Sequence, residues 1–172
     1  MGIMLSPETL RRFPIFAGIG NATLKALAMA GEEITLNKGD WLFHESDKAD
    51  YLYLILSGAV DLKIALDAKG AYHADLTTLV EGDLVGWSAL VEPYIYKLGA
   101  VAAKDSRLAK WNGACVCELM ARDPEAGYKL MSRMTQIVGS RLTAMCVRFA
   151  SLVEGGQWQR IADRRSSKLP TN

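Results

Sequence analysis

The residues with the clearest capacity for chemistry lie in one stretch, GDLVGWSALVEPYIYKLGA, from Gly82 to Ala100. Two glycines, Gly82 and Gly86, bracket a short apolar pair. Trp87, Ser88 and Ala89 then read as the start of a helical turn, and a lone cation, Lys97, follows with Leu98 beside it. Glycine lets a backbone turn through conformations that other residues avoid. Free amides at a helix start face an anion, and a nearby ammonium adds charge. The chemistry on offer is a cradle for a small negatively charged guest. Each residue also has a plainer reading. Trp87 is a stacking platform or a packing residue. Lys97 is the guest's counter-charge or a solvated strand lysine whose stem runs past an apolar rim. The two glycines serve backbone geometry in either case.

Other chemistries find less support. Cys115, Cys117 and Cys146 make an odd count, which argues against a disulfide framework. The Cys115-Val-Cys117 pair has no second Cys or His pair at ligand spacing, so reduced, buried thiols are expected and no metal site is. His44 and His73 stand apart in the chain. Ser88 has no histidine near it to form a nucleophile–base pair. A cupin-type enzyme would need clustered histidines with a carboxylate. A haem sensor would have only His73 and the cysteines to draw on. No enzyme is expected.

These residues need a scaffold, and 172 residues with 50% hydrophobic and 23% charged content suit one globular domain. A net charge of +1 exerts no general pull toward nucleic acid or anionic membrane. No apolar run is long enough to span a bilayer, and the N-terminus lacks a signal pattern, so a cytoplasmic location is expected.

The first thirty residues read as helix. Ser6-Pro7-Glu8 is a helix start, and Asn21 is expected to cap a second run that buries Leu24, Leu27 and Ala28 and stops at Gly31. From Glu32 to Asn112 the period shortens to that of strands. Ile34 and Leu36 precede the turn Asn37–Asp40, and Leu42 opens a short strand that turns at Ser46–Lys48. Tyr51–Leu56 and Val60–Ile64 read as two strands parted by Gly58, with a hairpin at Asp67–Gly70 and a return strand from Tyr72 to Val80. Val101 and Leu108 mark two more strands around Lys104-Asp105. Helix resumes at Gly113, first over Ala114–Ala121 and then from Pro124. In this last helix Met131, Met134, Val138, Leu142, Met145, Phe149 and Leu152 recur at spacings of three and four, a stripe fit to pack on the strands or on a second copy. Gly155-Gly156 is expected to end it. The organisation is N-terminal helices over 1–31, strands over 32–112, helices over 113–154 and a basic tail over 155–172.

The segments ITLNKGDWLFHESDKADYLYLILSGAVDL and GDLVGWSALVEPYIYKLGAVA, with glycines at 39, 58, 82 and 86, resemble the cyclic-nucleotide-binding domain of catabolite-activator-type regulators. The resemblance runs from about Phe16 to Val153. It implies a mainly β fold with flanking α-helices: a double-stranded β-helix, or jelly-roll-like β-roll, with N-terminal helices and a long C-terminal helix. It also implies a phosphate-binding cassette over 82–98 and a non-enzymatic sensor role in signal transduction, with cAMP, cGMP or another small anionic ligand as effector. The ligand-binding positions carried over are Gly82, Gly86, Trp87, Ser88, Ala89, Lys97, Leu98 and, by aligning Arg141-Leu142, Met145.

The side chains depart from the family pattern. Trp87 stands where a ribose-binding glutamate belongs, and Lys97 stands where an arginine holds the cyclic phosphate. Letting Asp83 play the acid puts Pro93 at the arginine position. Losing a charged hydrogen bond costs about 1.5–3 kcal/mol, whereas stacking on Trp87 would return about 1–3 kcal/mol. The alternative is therefore an interaction domain with a vestigial pocket. A homodimer along the long helix is expected in either case. About twenty residues follow Val153, too few for a helix-turn-helix, so direct DNA binding is not expected and a separate transcription regulator could be the partner.

Overall fold

A computed structural model gives the structure of residues 3–66 and 72–166. Two compact units result, Met1–Met131 and Ser132–Asn172. In the first unit, seven strands form one antiparallel sheet flanked by N-terminal and C-terminal helices.

The start of the chain is less helical than its composition suggests. Ile3–Met4 forms β1, which pairs with the later strand β2 (Gly31–Leu36). Helix α1 (Pro7–Arg11) follows, capped by the Ser6 hydroxyl, which accepts from the Thr9 amide at 3.0 Å. A 3-10 turn at Pro14–Phe16 leads to α2 (Asn21–Ala30). Asn21 is the first helical residue and not the cap. Gly20 occupies the cap position, and the Asn21 carboxamide instead accepts from Arg11.

Gly31 ends α2, but not through a left-handed turn: its φ is −104° and it already belongs to β2. The reason for a glycine is distant in sequence. A Cβ there would lie 2.4 Å from Nε1 of Trp111 and 2.6 Å from Leu5. Trp111 is buried, its indole N–H donates to the Leu27 carbonyl at 2.8 Å, and Phe16 meets its ring edge-on at 6.0 Å.

Two expected strand breaks are absent. Residues on both sides of Gly58 form one strand, β4 (Tyr51–Ala65), and those on both sides of Lys104-Asp105 form β7 (Gly99–Asn112). These two long strands pair with each other, with slips in register around Ser57–Val60. Gly58, at φ +103°, is a bulge and not an end: a Cβ there would overlap Ser106. The Ser106 hydroxyl accepts the Ala59 amide at 3.0 Å and donates to the Lys104 carbonyl at 2.7 Å, filling the irregularity.

The remaining strands are β3 (Trp41–Phe43), β5 (His73–Val80) and β6 (Leu84–Val85). The central path runs β1-β2-β7-β4-β5, with β3 on β7 and β6 on β4. Leu54, Ile55, Val60 and Leu108 are fully buried between the sheet and its covering elements. On the face bearing Glu33, a nearly buried carboxylate, Arg107 donates two hydrogen bonds at 2.6 and 3.0 Å. The hairpin tip Asp67–Gly70 lies outside the described residues.

Helix α3 (Gly113–Arg122) starts on the Asn112 side chain, which accepts from the Cys115 amide at 3.2 Å. Helix α4 (Pro124–Ser166) opens where its proline predicts, with the Asp123 carboxylate accepting from the Ala126 amide. It runs through Gly155-Gly156 instead of stopping there. A helix-interior glycine costs only about 1 kcal/mol and does not by itself end a helix. The last residues of the basic tail lie outside the described residues. Of the cysteines, Cys115 and Cys117 are half-buried and Cys146 is exposed, so the expectation of buried thiols fails for all three.

Candidate functional site

The Gly82–Leu98 segment is held against β4 at both ends. At its start, the Gly82 amide donates to the Ile55 carbonyl at 2.9 Å, and the Ile55 amide returns a bond to Asp83 at 3.1 Å. Leu84 and Val85 then pair with Leu54 and Tyr53. The Asp83 carboxylate accepts the Val80 amide at 2.9 Å, so this acid closes its own turn. Gly82 has φ +88° but open surroundings, with Phe13 at 3.7 Å from a built Cβ.

Gly86 differs. At φ +78° it precedes the 3-10 turn Trp87–Leu90. A Cβ on Gly86 would lie 2.9 Å from the Tyr51 carbonyl, 3.1 Å from the Tyr96 ring and 3.4 Å from Phe43. The close approach that this glycine permits is made by the protein's own aromatic residues. The first hydrogen bond of the turn runs from the Ala89 amide to the Gly86 carbonyl at 3.0 Å, which leaves the Trp87 and Ser88 amides ahead of it. Ser88 and Ala89 are buried, and Trp87 is half-buried.

At the other end, Tyr96 is the pin. Its amide donates to the Asp47 carbonyl and its carbonyl accepts the Ser46 amide, both at 2.9 Å. Its hydroxyl donates to the Tyr51 carbonyl at 2.7 Å and accepts the Tyr51 amide at 3.2 Å. The ring stacks on Phe43 at 3.6 Å and 10°. The Tyr53 hydroxyl hydrogen-bonds the Tyr96 hydroxyl, and burial raises both phenols above their ordinary pKa, Tyr53 strongly. Lys97 follows directly and is exposed, Leu98 is half-buried, and Gly99 enters β7.

The structure thus places Gly86, Trp87, Ser88 and Ala89 at one turn, Gly82 in the preceding turn on the other side of β6, and Lys97 and Leu98 at the far end of the same segment. Met145 belongs to the second unit, where it is 45% exposed. Residue types alone missed Tyr96, Tyr51, Tyr53 and Phe43. The alternating tyrosines were visible in the chain, but their partners come from strands more than forty residues apart. The two histidines were missed in a similar way. His44 and His73 both lie against Trp41, at ring separations of 4.3 and 5.1 Å, and Trp41 sits over Gly99, where a Cβ would be 2.7 Å from its ring.

The family model for the cyclic nucleotide-binding domain matches residues 33–123. A crystal structure of a candidate cyclic nucleotide-binding protein from Geobacter metallireducens superposes with a TM-score of 0.71 at 34% identity, covering 81% of this chain and 99% of that one. A CRP-like cAMP-activated global transcriptional regulator from Mycobacterium tuberculosis is 26% identical over 124 residues, 72% of this chain and 54% of the regulator. An uncharacterised NTE family protein from the same species is 25% identical over 150 residues, 86% of this chain but 25% of that protein. The chain therefore spans between a quarter and about half of the length of these two curated relatives. The solved structures of similar fold are described as cyclic nucleotide-binding proteins, a sensor domain, transcriptional regulators and regulatory domains. Among the described residues no helix is long and apolar enough to cross a membrane.

Proposed function

Because this chain belongs to the cyclic nucleotide-binding domain family, we propose that it is a sensor domain whose sheet closes into a β-roll around the Gly82–Leu98 cassette. The guest is a cyclic nucleotide, cAMP or cGMP, or another small anion. The observation that carries the reading is the left-handed Gly86 leading into a turn whose Trp87 and Ser88 amides precede its first hydrogen bond. Lys97, exposed at the end of the pinned segment, supplies the positive charge. Without a fork of donors or an acid for the ribose hydroxyl, the domain discriminates weakly among anions that fit.

Calorimetry with cAMP and cGMP at millimolar concentrations tests this. Binding should weaken at least about tenfold in Lys97→Gln, as expected for one lost charge-assisted hydrogen bond. Absence of both heat and thermal shift would discard the sensor reading.

A second reading has its own support. Gly86 is already packed against Tyr96 and Phe43, so its conformation serves the fold without a guest. Under this reading the domain acts by pairing. Leu142, Met145, Phe149 and Leu152 are spaced three, four and three apart on α4 and are 61%, 45%, 69% and 76% exposed. That seam suits a homodimer, and under the first reading it also serves as the output surface. Nucleotide-insensitive dimerisation would favour this second reading, with a separate transcription regulator as a partner class.

A further inference from the structure

Behind the cassette turn, on the side of α3, lies a second hollow. It is a cleft of about 320 Å³ formed by the 48–50 turn, the back of the cassette and the first turns of α3. This volume falls at the lower end of the range for small-ligand pockets, about 300–1,000 Å³. It suits a guest smaller than a nucleotide or a folded peptide.

The lining defines the chemistry. Tyr94 and Ala114 are exposed and line the cleft together with Asn112, while Ala49 and Ala89, 4% and 3% exposed, show it almost no surface. Tyr94 has φ +56°, an uncommon conformation for a bulky residue, and is held from both sides. Its amide donates to Val91 at 3.0 Å, and its carbonyl accepts the Ala49 amide at 2.8 Å. Cys117 also lines the cleft, and burial pushes its thiol pKa up, so it presents a neutral surface. At the rim, the Lys48 ammonium and Asp50 carboxylate meet at 2.8 Å, with side chains 78% and 45% exposed. Exposed pairs of this kind contribute about 0–1 kcal/mol, so opening one costs little.

We propose that this cleft binds a free aromatic α-amino acid: its flat side chain lies beside the exposed Tyr94 and Ala114, and its ammonium and carboxylate exchange partners with Asp50 and Lys48. The charges match one to one, and no charge is left unpaired when the rim pair opens. Because Tyr94 belongs to the cassette segment and Ala114 to α3, the guest touches both elements. The proposal stands independently of any ligand in the cassette.

Calorimetry on the full chain with L-tryptophan and L-phenylalanine at millimolar concentrations should show saturable binding. Indole, which lacks the charges, and glycine, which lacks the ring, should each bind at least about tenfold more weakly. Lys48→Ala and Asp50→Ala should each weaken binding by about tenfold. Ala114→Trp, at an exposed position of α3, should abolish it by filling the cleft. Lys97→Gln should leave it unchanged, which separates this site from the cassette. If Ala114→Trp does not fold, alkylation of Cys117 followed by mass spectrometry replaces it, with L-tryptophan expected to slow modification of that cysteine and not of Cys146. No saturable binding of either amino acid, binding that ignores the rim substitutions, or unprotected Cys117 would overturn the proposal.

Discussion

Replacing Gly86 by alanine separates two roles that one glycine can play. The conformation alone, φ +78°, costs an L-residue about 1–2 kcal/mol. Contact adds to that. The new Cβ would meet the Tyr51 carbonyl at 2.9 Å, and backbone in the middle of a hydrogen-bonded pair cannot swing aside. The Tyr96 ring at 3.1 Å is likewise backed by Phe43 at 3.6 Å. Overpacking of this kind costs about 1–3 kcal/mol, so Gly86→Ala should destabilise the domain by about 2–5 kcal/mol in total. Gly82→Ala is the internal control. Its φ is similar at +88°, but its nearest contact, Phe13 at 3.7 Å, is ordinary. It should lose only the conformational part, about 1–2 kcal/mol. Urea unfolding of both variants, with unchanged m-values, reads the difference directly. Equal losses would refute the packing of Gly86 on Tyr51 and Tyr96. No loss in either would refute the left-handed backbone itself.

Three further outcomes are expected. Tyr96→Phe deletes the hydroxyl that serves both Tyr51 backbone groups and Tyr53, so it should cost about 1–3 kcal/mol and strip exchange protection from the Tyr51 amide; unchanged protection would rule out the pin. The Asp123 carboxyl is held below its usual pKa by the Thr23 hydroxyl and then the Ala126 amide, so its contribution is present above the ordinary carboxylate range, near 4, and is lost as pH falls through the lowered folded value. Wild type should therefore melt above Asp123→Asn at neutral pH, with the gap closing in acid, and a gap that widens on acidification would reverse the assignment. Phe149→Asp, placed on the exposed α4 seam, should turn a dimer into a monomer by light scattering without lowering the melting temperature of the strand-bearing unit; a dimer that persists would remove the seam from the interface.

How far the chain could be read depended on the range of each interaction. Ser6, Pro7 and Pro124 act within one turn of themselves, and their helices begin where those residues stand. Gly82 and Gly86 are both left-handed, as a hinge requires. The heptad-like spacing of Leu142 to Leu152 also needs no partner to be visible.

Features joined across the sheet could not be read in the same way. Gly58 looked like a strand end because its role depends on Ser106, and Gly31 looked like a helix stop because its constraint comes from Trp111. Lys104-Asp105 looked like a turn, yet pairing with β4 on one side carries the strand straight through it. His44 and His73 looked unrelated until β3 and β5 brought both to one indole.

What the chain by itself determined is its alphabet of local shapes: strand-length apolar runs, left-handed hinges, capped helices and one cation after a turn. Those follow from backbone sterics and from hydrogen bonds within a few residues. Only the tertiary structure decided what each shape is for, because close packing is a condition on atoms distant in sequence. It put Tyr96 beneath Gly86 and opened a cleft behind Ala89.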